Sequence, residues 1–350
     1  MTTEPTIDTS ETEPLSERHL LYLGTADGLL TYRWTVEGLE RVGHGIAGNV
    51  VRDLAVDPRE PADAFVACGL RGWGLHRTTD AGRTVAEIGF EDRWVWGITR
   101  DPTDPKTVYV GTEPPMLFVS SDGGETFEAF RGLDSLPSRP SWTFFHEPFR
   151  AGHVHAIAIH PDRPERVFAG VEHGALVYTH DGGETWAEAL VGCDLHRIAI
   201  DPTDPDRVLA ATGSGLEVSE DAGETWESIA DLRGRYLHAI VFDADRSNRV
   251  YAYADRDGDP LVRSDDGGTT WDAIGSGLPA ARPADTLRLV PGLDDTLVYA
   301  GDEPNRDETP SSDTPTTETS RLYASTDAGE TWRELADGFP KIWRLEVASE

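Results

Sequence analysis

Six short stretches decide the fold: TTDAGRTV from Thr78, SSDGGETF from Ser120, THDGGETW from Thr179, SEDAGETW from Ser219, SDDGGTTW from Ser264 and STDAGETW from Ser325. They share one pattern, Ser/Thr-x-Asp-x-Gly-x-Thr followed by an apolar, mostly aromatic residue. Their aspartates, Asp80, Asp122, Asp181, Asp221, Asp266 and Asp327, are 42, 59, 40, 45 and 61 residues apart. The basic period is therefore 40 to 45 residues, lengthened twice by insertions. A period of this size signals a repeat architecture and is read before anything else.

Two further elements recur in register. An apolar strand ends near Asp-Pro: LAVDP at 54–58, GITRDP at 97–102, IAIHP at 157–161 and IAIDP at 198–202, with weaker copies at 240–244 and 287–292. A second strand precedes a Gly-rich turn: LYLGT at 21–25, VYVGT at 108–112, VFAGV at 167–171 and VYAGD at 298–302. Each period holds four short strand candidates between Gly, Asp and Pro turns, and no helical periodicity is sustained. Four strands per 40-odd residues predict a blade of a β-propeller.

Labelling strands a to d from the inside out, the b element occurs seven times. The first b, at 20–25, lacks an a strand before it, and the terminal KIWRLEVASE lacks a b after it. The two orphans complete one blade. The expected fold is all-β, a single seven-bladed propeller spanning 19–350, after an acidic tail at 1–18 expected to be disordered. The expected blades are 342–350 with 20–43, then 51–89, 96–130, 155–190, 196–230, 238–275 and 286–336. Insertions are expected at 131–154 and 302–320. The first blade carries a degenerate box near Arg33-Trp34.

The repeated S-x-D-x-G-x-T-W resembles the Asp-box, or BNR, repeat of the sialidase-like superfamily. Its coupling to I-A-x-D-P and V-Y-x-G-T is more similar to sortilin-type receptors, xyloglucanases and photosystem II assembly factors than to sialidases. The resemblance covers about residues 20–350. It implies that the boxes are structural turns on the face away from any ligand site, and that ligands bind over the central channel, on the face of the b–c and d–a loops. It carries little about chemistry, because such folds host many functions.

Charge narrows the partners. There are 63 acidic against 31 basic residues, a net of −32, and only Lys106 and Lys341 are lysines. Nucleic-acid backbones and anionic membranes repel such a chain. The apolar content and ten tryptophans exclude general disorder. Few lysines, many arginines and abundant acids resemble haloarchaeal proteins, and a cytoplasmic, high-salt setting is expected. The opening residues have no basic, apolar or twin-arginine pattern of a secretion signal. Cys68 and Cys193 make no disulfide framework and are expected as buried free thiols.

Stepping back six positions from each Asp-Pro gives one equivalent residue per blade: Arg52, Trp96, His155, His196, His238, Thr286 and Trp343. None is a carboxylate. Around them stand Arg93, Trp94, His153, Arg197, Arg233 and Arg235, and the b–c loops add Arg71, Trp73, Glu113, Glu172, His173, Asp255 and Arg256. The long 130–154 loop, with Trp142, Phe144, Phe145, His146 and Phe149, reads as a lid or interaction surface. Three uses of this set are open: plugging the channel; binding an anionic or sugar-like ligand or a partner's acidic peptide, for which Arg forks and aromatic walls are suited; or holding a divalent metal on His155, His196 and His238, with Glu113 or Glu172 behind. A glycosidase needs two carboxylates flanking the scissile bond. No loop acid is marked for that role. The Arg-Ile-Pro of sialidases is missing, and the two-propeller cleft of xyloglucanases needs a second propeller. A monomeric binding scaffold without a resident cofactor is the expectation, and a glycoside hydrolase-like or metal-dependent hydrolase or lyase the alternative.

Overall fold

The computed structural model describes residues 18–35, 37–69, 72–144, 151–246, 248–255, 259–279, 285–302 and 319–350. Within them lie seven four-stranded antiparallel sheets, each running a-b-c-d in order. The architecture is a seven-bladed β-propeller. The closing strand Ile342–Ser349 pairs with His19–Thr25 over its full length, from His19 opposite Ser349 to Thr25 opposite Ile342. Pairing the two ends of the chain in one blade covers an edge that an open sheet would expose.

The repeat is visible as burial. Strand b is buried throughout in blades 2, 5 and 7: Ala64–Cys68, Val208–Thr212 and Leu297–Asp302. Its side chains pack on both faces of the sheet, which explains its continuous apolar run. Strand d is short and largely exposed in blades 2 to 6, as in Ala86–Gly89 and Glu227–Ser228, and longer and partly buried in blades 1 and 7, Gly38–Gly45 and Arg333–Pro340. Cores form between successive blades: Phe168 and Leu176 pack with Leu195, Ile198 and Val208, and Tyr22 and Leu29 with Val51 and Leu54.

Two compact units divide the chain. One comprises residues 1–89 and 274–350 and holds blades 1, 2 and 7; the other, 90–273, holds blades 3 to 6. In the first unit, closure is fixed by charge as well as by strand pairing. Arg344 is buried and meets Asp53 at 3.0 Å, with Asp285 and Glu346 as further partners. Arg288 adds a second guanidinium to Asp285 and Glu346. Asp53 is in blade 2, Arg288 in blade 7 and Arg344 in the closing strand, so one network ties three blades.

Every box aspartate is fully engaged. Asp122 Oδ1 accepts from Ser120 Oγ at 2.7 Å and Thr126 N at 2.9 Å, and Oδ2 accepts from Thr126 Oγ1 at 2.6 Å. The same bonds recur at Asp80, Asp181, Asp221, Asp266 and Asp327. The residue after each aspartate then donates its N–H to the a–b turn of the same blade, as Gly123 does to Lys106 O at 2.8 Å and Ala222 to Asp206 O at 2.6 Å. The box is a clasp joining the c–d turn to the a–b turn. It leaves b–c and d–a loops at the opposite end of each blade.

Residues 130–144 of the insertion depart from the lid expectation. Turns of 3-10 helix at Arg131–Ser135 and Arg139–Ser141 fold them down. Leu133, Leu136 and Trp142 enter the core with Tyr109 and Val154. Trp142 Nε1 donates to Ser138 Oγ at 2.8 Å, so this ring is a packing residue and not a surface one. Phe145, His146 and Phe149 lie outside the described residues, as do the chain before Arg18, Arg71, Arg256 and residues 303–318. Both cysteines are free, Cys68 buried and Cys193 half-buried, and burial pushes the Cys68 thiol up to about 12. No helix among the described residues is long and apolar enough to cross a membrane.

Candidate functional site

The equivalent positions found in the sequence share a backbone feature. Strand a pairs with strand b through a register shift that skips one residue. The skipped residue is Arg52, Trp96, His155, His196 or His238 in blades 2 to 6. In blade 1 it is Trp343. A bulge adds a residue to one strand, leaves it out of the ladder and re-aims its side chain. Thr286 of blade 7 is different: it keeps its partner, with Thr286 Oγ1 donating to Ala300 O at 2.7 Å.

In the second unit the bulges build a cluster of imidazoles and carboxylates. His153 stands directly across from Glu172 in the a–b register of blade 4. His153 Nε2 lies 2.6 Å from Glu172 Oε2, and His155 Nδ1 lies 3.3 Å from the same oxygen. Glu113 Oε2 approaches His153 Nδ1 at 3.6 Å. Trp96 stacks on His153 with centroids 3.8 Å apart, and Phe144 tilts against it at 5.4 Å. His153 is fully buried, whereas the His155 side chain is 23% exposed, so the cluster opens to solvent on the His155 side. Gly97 makes this approach possible: a Cβ there would lie 2.3 Å from His155 O. Burial alone would raise the Glu172 carboxyl, but the two imidazoles outweigh it and hold it well below the usual range.

A second group adjoins. His196 Nδ1 lies 2.6 Å from the Leu237 carbonyl, so that nitrogen carries the proton and donates, while Nε2 faces Asp194 Oδ1 at 3.3 Å. Tyr236 donates to Asp194 Oδ2 at 2.6 Å. The His196 and His238 rings are tilted by 30° with centroids 4.6 Å apart. Burial would lower the His196 imidazole, yet Asp194 holds it above its ordinary value. His173 sits at φ 55, in the left-handed region, with Nε2 3.8 Å from Asp194.

The three histidines at the equivalent position do not converge. Among the described residues, the triads with donor atoms within 4.8 Å of one another are His153, His155 and Glu172, and Glu172, His173 and Asp194. His196 has both ring nitrogens engaged. The position set has no carboxylate, but the fold delivers three to it: Glu113, Glu172 and Asp194. Asp194 and Tyr236 carry no mark in the sequence, one being a loop acid just before a strand and the other the first residue of a strand.

The arginines and tryptophans are placed as follows. Arg52 lies over the Trp343 ring at 4.2 Å, and Lys341 approaches the same ring at 4.8 Å. Trp73 is 50% exposed. Arg93 lies over Phe118 at 5.5 Å. Arg235 is taken up by main-chain carbonyls, including Asp259 O at 2.6 Å. Trp94, at the start of its strand, and Arg197, within its strand, are half-buried.

Comparisons with known proteins accord with this architecture. A family model described as sortilin, neurotensin receptor 3, matches residues 214–349, and one for the BNR/Asp-box repeat matches 177–188. The oligoxyloglucan-reducing end-specific xyloglucanase of Emericella nidulans is 23% identical over 193 residues, 44% of this chain and 22% of that protein. A probable one from Neosartorya fischeri is 25% identical over 160 residues, 41% and 19%. The chain thus matches about a fifth of the length of these curated relatives. Among solved structures, the Niastella koreensis GH74 enzyme has a TM-score of 0.55 at 15% identity, over 94% of this chain and 65% of that one. YCF48 bound to D1 peptide scores 0.53 at 15% identity over 94% and 88%. The propeller domain of Cps50 (Swd1) from Myceliophteria thermophila scores 0.55 at 14% identity over 85% and 96%. At these identities the structures speak for the fold alone. With the repeat matches, they support a BNR, sialidase-like propeller.

Proposed function

We propose that this chain is a non-catalytic scaffold that binds a protein segment bearing carboxylates. Its contacts would be Arg52, Trp343 and the adjoining b–c and d–a loops of the first unit. The observation that carries the reading is the recurrence of bulges at Arg52, Trp96, His155, His196, His238 and Trp343. A shared backbone device that varies only in the side chain it re-aims suits recognition better than a single reaction. Arg52 over Trp343 supplies a planar cation on an aromatic wall, which suits a carboxylate. The high-salt cytoplasm that the charge suggests belongs to the same proposal. One similar propeller is known with a peptide bound. A small anionic or sugar-like ligand is the alternative occupant.

A second reading, glycoside hydrolysis, is favoured by the names of the two xyloglucanase relatives. Against it, Glu113 and Glu172 both face His153 and are largely buried. Neither is presented to a substrate as a general acid or nucleophile requires.

Affinity capture from native cells separates the two. A discrete partner is expected to co-purify with the wild type and to be lost from Arg52→Ala/Trp73→Ala of unchanged melting temperature. Release of sugar from xyloglucan oligosaccharides, abolished by Glu113→Gln or Glu172→Gln, would overturn the scaffold reading.

A further inference from the structure

We propose that His153 Nε2, His155 Nδ1 and Glu172 Oε2 form a site for a divalent transition metal of the zinc class. This set differs from one made of the equivalent histidines 155, 196 and 238, and it stands independently of the scaffold function.

Geometry carries the proposal. The three donor atoms lie within 4.8 Å of one another, and one carboxylate oxygen is shared at 2.6 Å and 3.3 Å by the two ring nitrogens. Tetrahedral zinc, with bonds of about 2.0–2.1 Å, separates its ligand atoms by about 3.3 Å. The His155 contact already has that spacing. The His153 contact needs to open by a fraction of an ångström as the shared proton leaves.

The setting is that of a prepared ligand set. Register fixes His153 opposite Glu172, and the bulge turns His155 onto the same oxygen. Stacking by Trp96 holds the buried His153 ring. With Nε2 on a metal, the Nδ1 proton of His153 would face Glu113 Oε2, now 3.6 Å away. A carboxylate behind a metal-bound histidine orients the ring and raises its basicity. Three protein ligands and an approach from the exposed His155 side leave one coordination position for water or for a ligand's carboxylate. His173 and Asp194 lie beside the set but take no part in it.

Zinc chloride titrated calorimetrically into the untagged, chelator-treated full chain tests this. One zinc per chain is expected. Affinity should fall by more than about 100-fold in His155→Ala and in Glu172→Gln, and by about 10- to 100-fold in Glu113→Gln. His196→Ala should bind as the wild type does. His155 is partly exposed, so its variant is expected to fold, which circular dichroism would check; Glu172→Gln serves as the near-isosteric second probe. A cobalt-substituted sample should show the visible absorption of a four-coordinate ion, lost in both variants. No saturable uptake by the wild type would overturn the proposal. So would uptake unchanged in His155→Ala and Glu172→Gln, or uptake that depends on His196.

Discussion

At the scale of the residue, the box aspartate shows how a short motif becomes stability. Its two oxygens accept from a Ser or Thr hydroxyl, a Thr hydroxyl and a Thr N–H, and these donors favour the charged form. The Thr hydroxyl contributes most at Asp181 and Asp266 and holds both carboxyls down to about 2. A carboxyl depressed on folding stabilises the protein above its unfolded value, about 3.9, and loses that contribution as pH falls through the folded value. Denaturant melts at pH 5, 4, 3 and 2 should therefore show a shallower acid loss in Asp181→Asn/Asp266→Asn than in wild type. Equal slopes would contradict the clasp. Gly183, two residues after Asp181, has φ 93, and a Cβ there would lie 2.3 Å from Phe130 Cε1. Gly183→Ala should cost about 2 kcal/mol or more, from the strained backbone and the clash together. An unchanged denaturation midpoint would mean that the turn can relax.

At the scale of the element, blades were legible because their signals are local. Asp-Pro, the b-strand run and the box each sit within one strand and its turn. Pairing of Ile342–Ser349 with His19–Thr25 was legible by counting, since an orphan a strand and an orphan b strand need each other. The bulges were half legible: alignment on Asp-Pro found the residues, but not the skipped register that re-aims them. The partners were not legible. Glu172 meets His153 only because two strands align, and Asp194 meets His196 Nε2 only where the bulge re-aims that ring. In the insertion, residues 130–144 misled because buried and exposed aromatics read alike in sequence; Leu133 and Trp142 are core. The Arg344 network also depends on strand pairing. Arg344→Met would leave Asp53 short of its cation while Arg288 still serves Asp285 and Glu346. A loss of about 3 kcal/mol is expected in equilibrium unfolding. A loss under about 1 kcal/mol would show the network contributes little to closure.

At the scale of the whole molecule, the net charge of −32 opposes the compact state. Screening length falls from about 10 Å at 0.1 M salt to about 3 Å at 1 M. The melting temperature should therefore rise steeply between 0.1 M and 2 M potassium chloride. A flat or falling curve would detach the acidity from salt adaptation.

One end of each blade holds the fold together, and on the proposed function the other end recognises. Blade 2 tests it within a single short strand. Trp73 and Arg83 flank strand c, Leu75–Thr78, from opposite ends: Trp73 in the b–c loop, 50% exposed, and Arg83 in the box turn. A photo-crosslinking residue at each position, in native cells, is the direct measurement. One dominant cross-linked partner is expected from position 73 and none from position 83. The same partner captured from position 83, and not from 73, would contradict it.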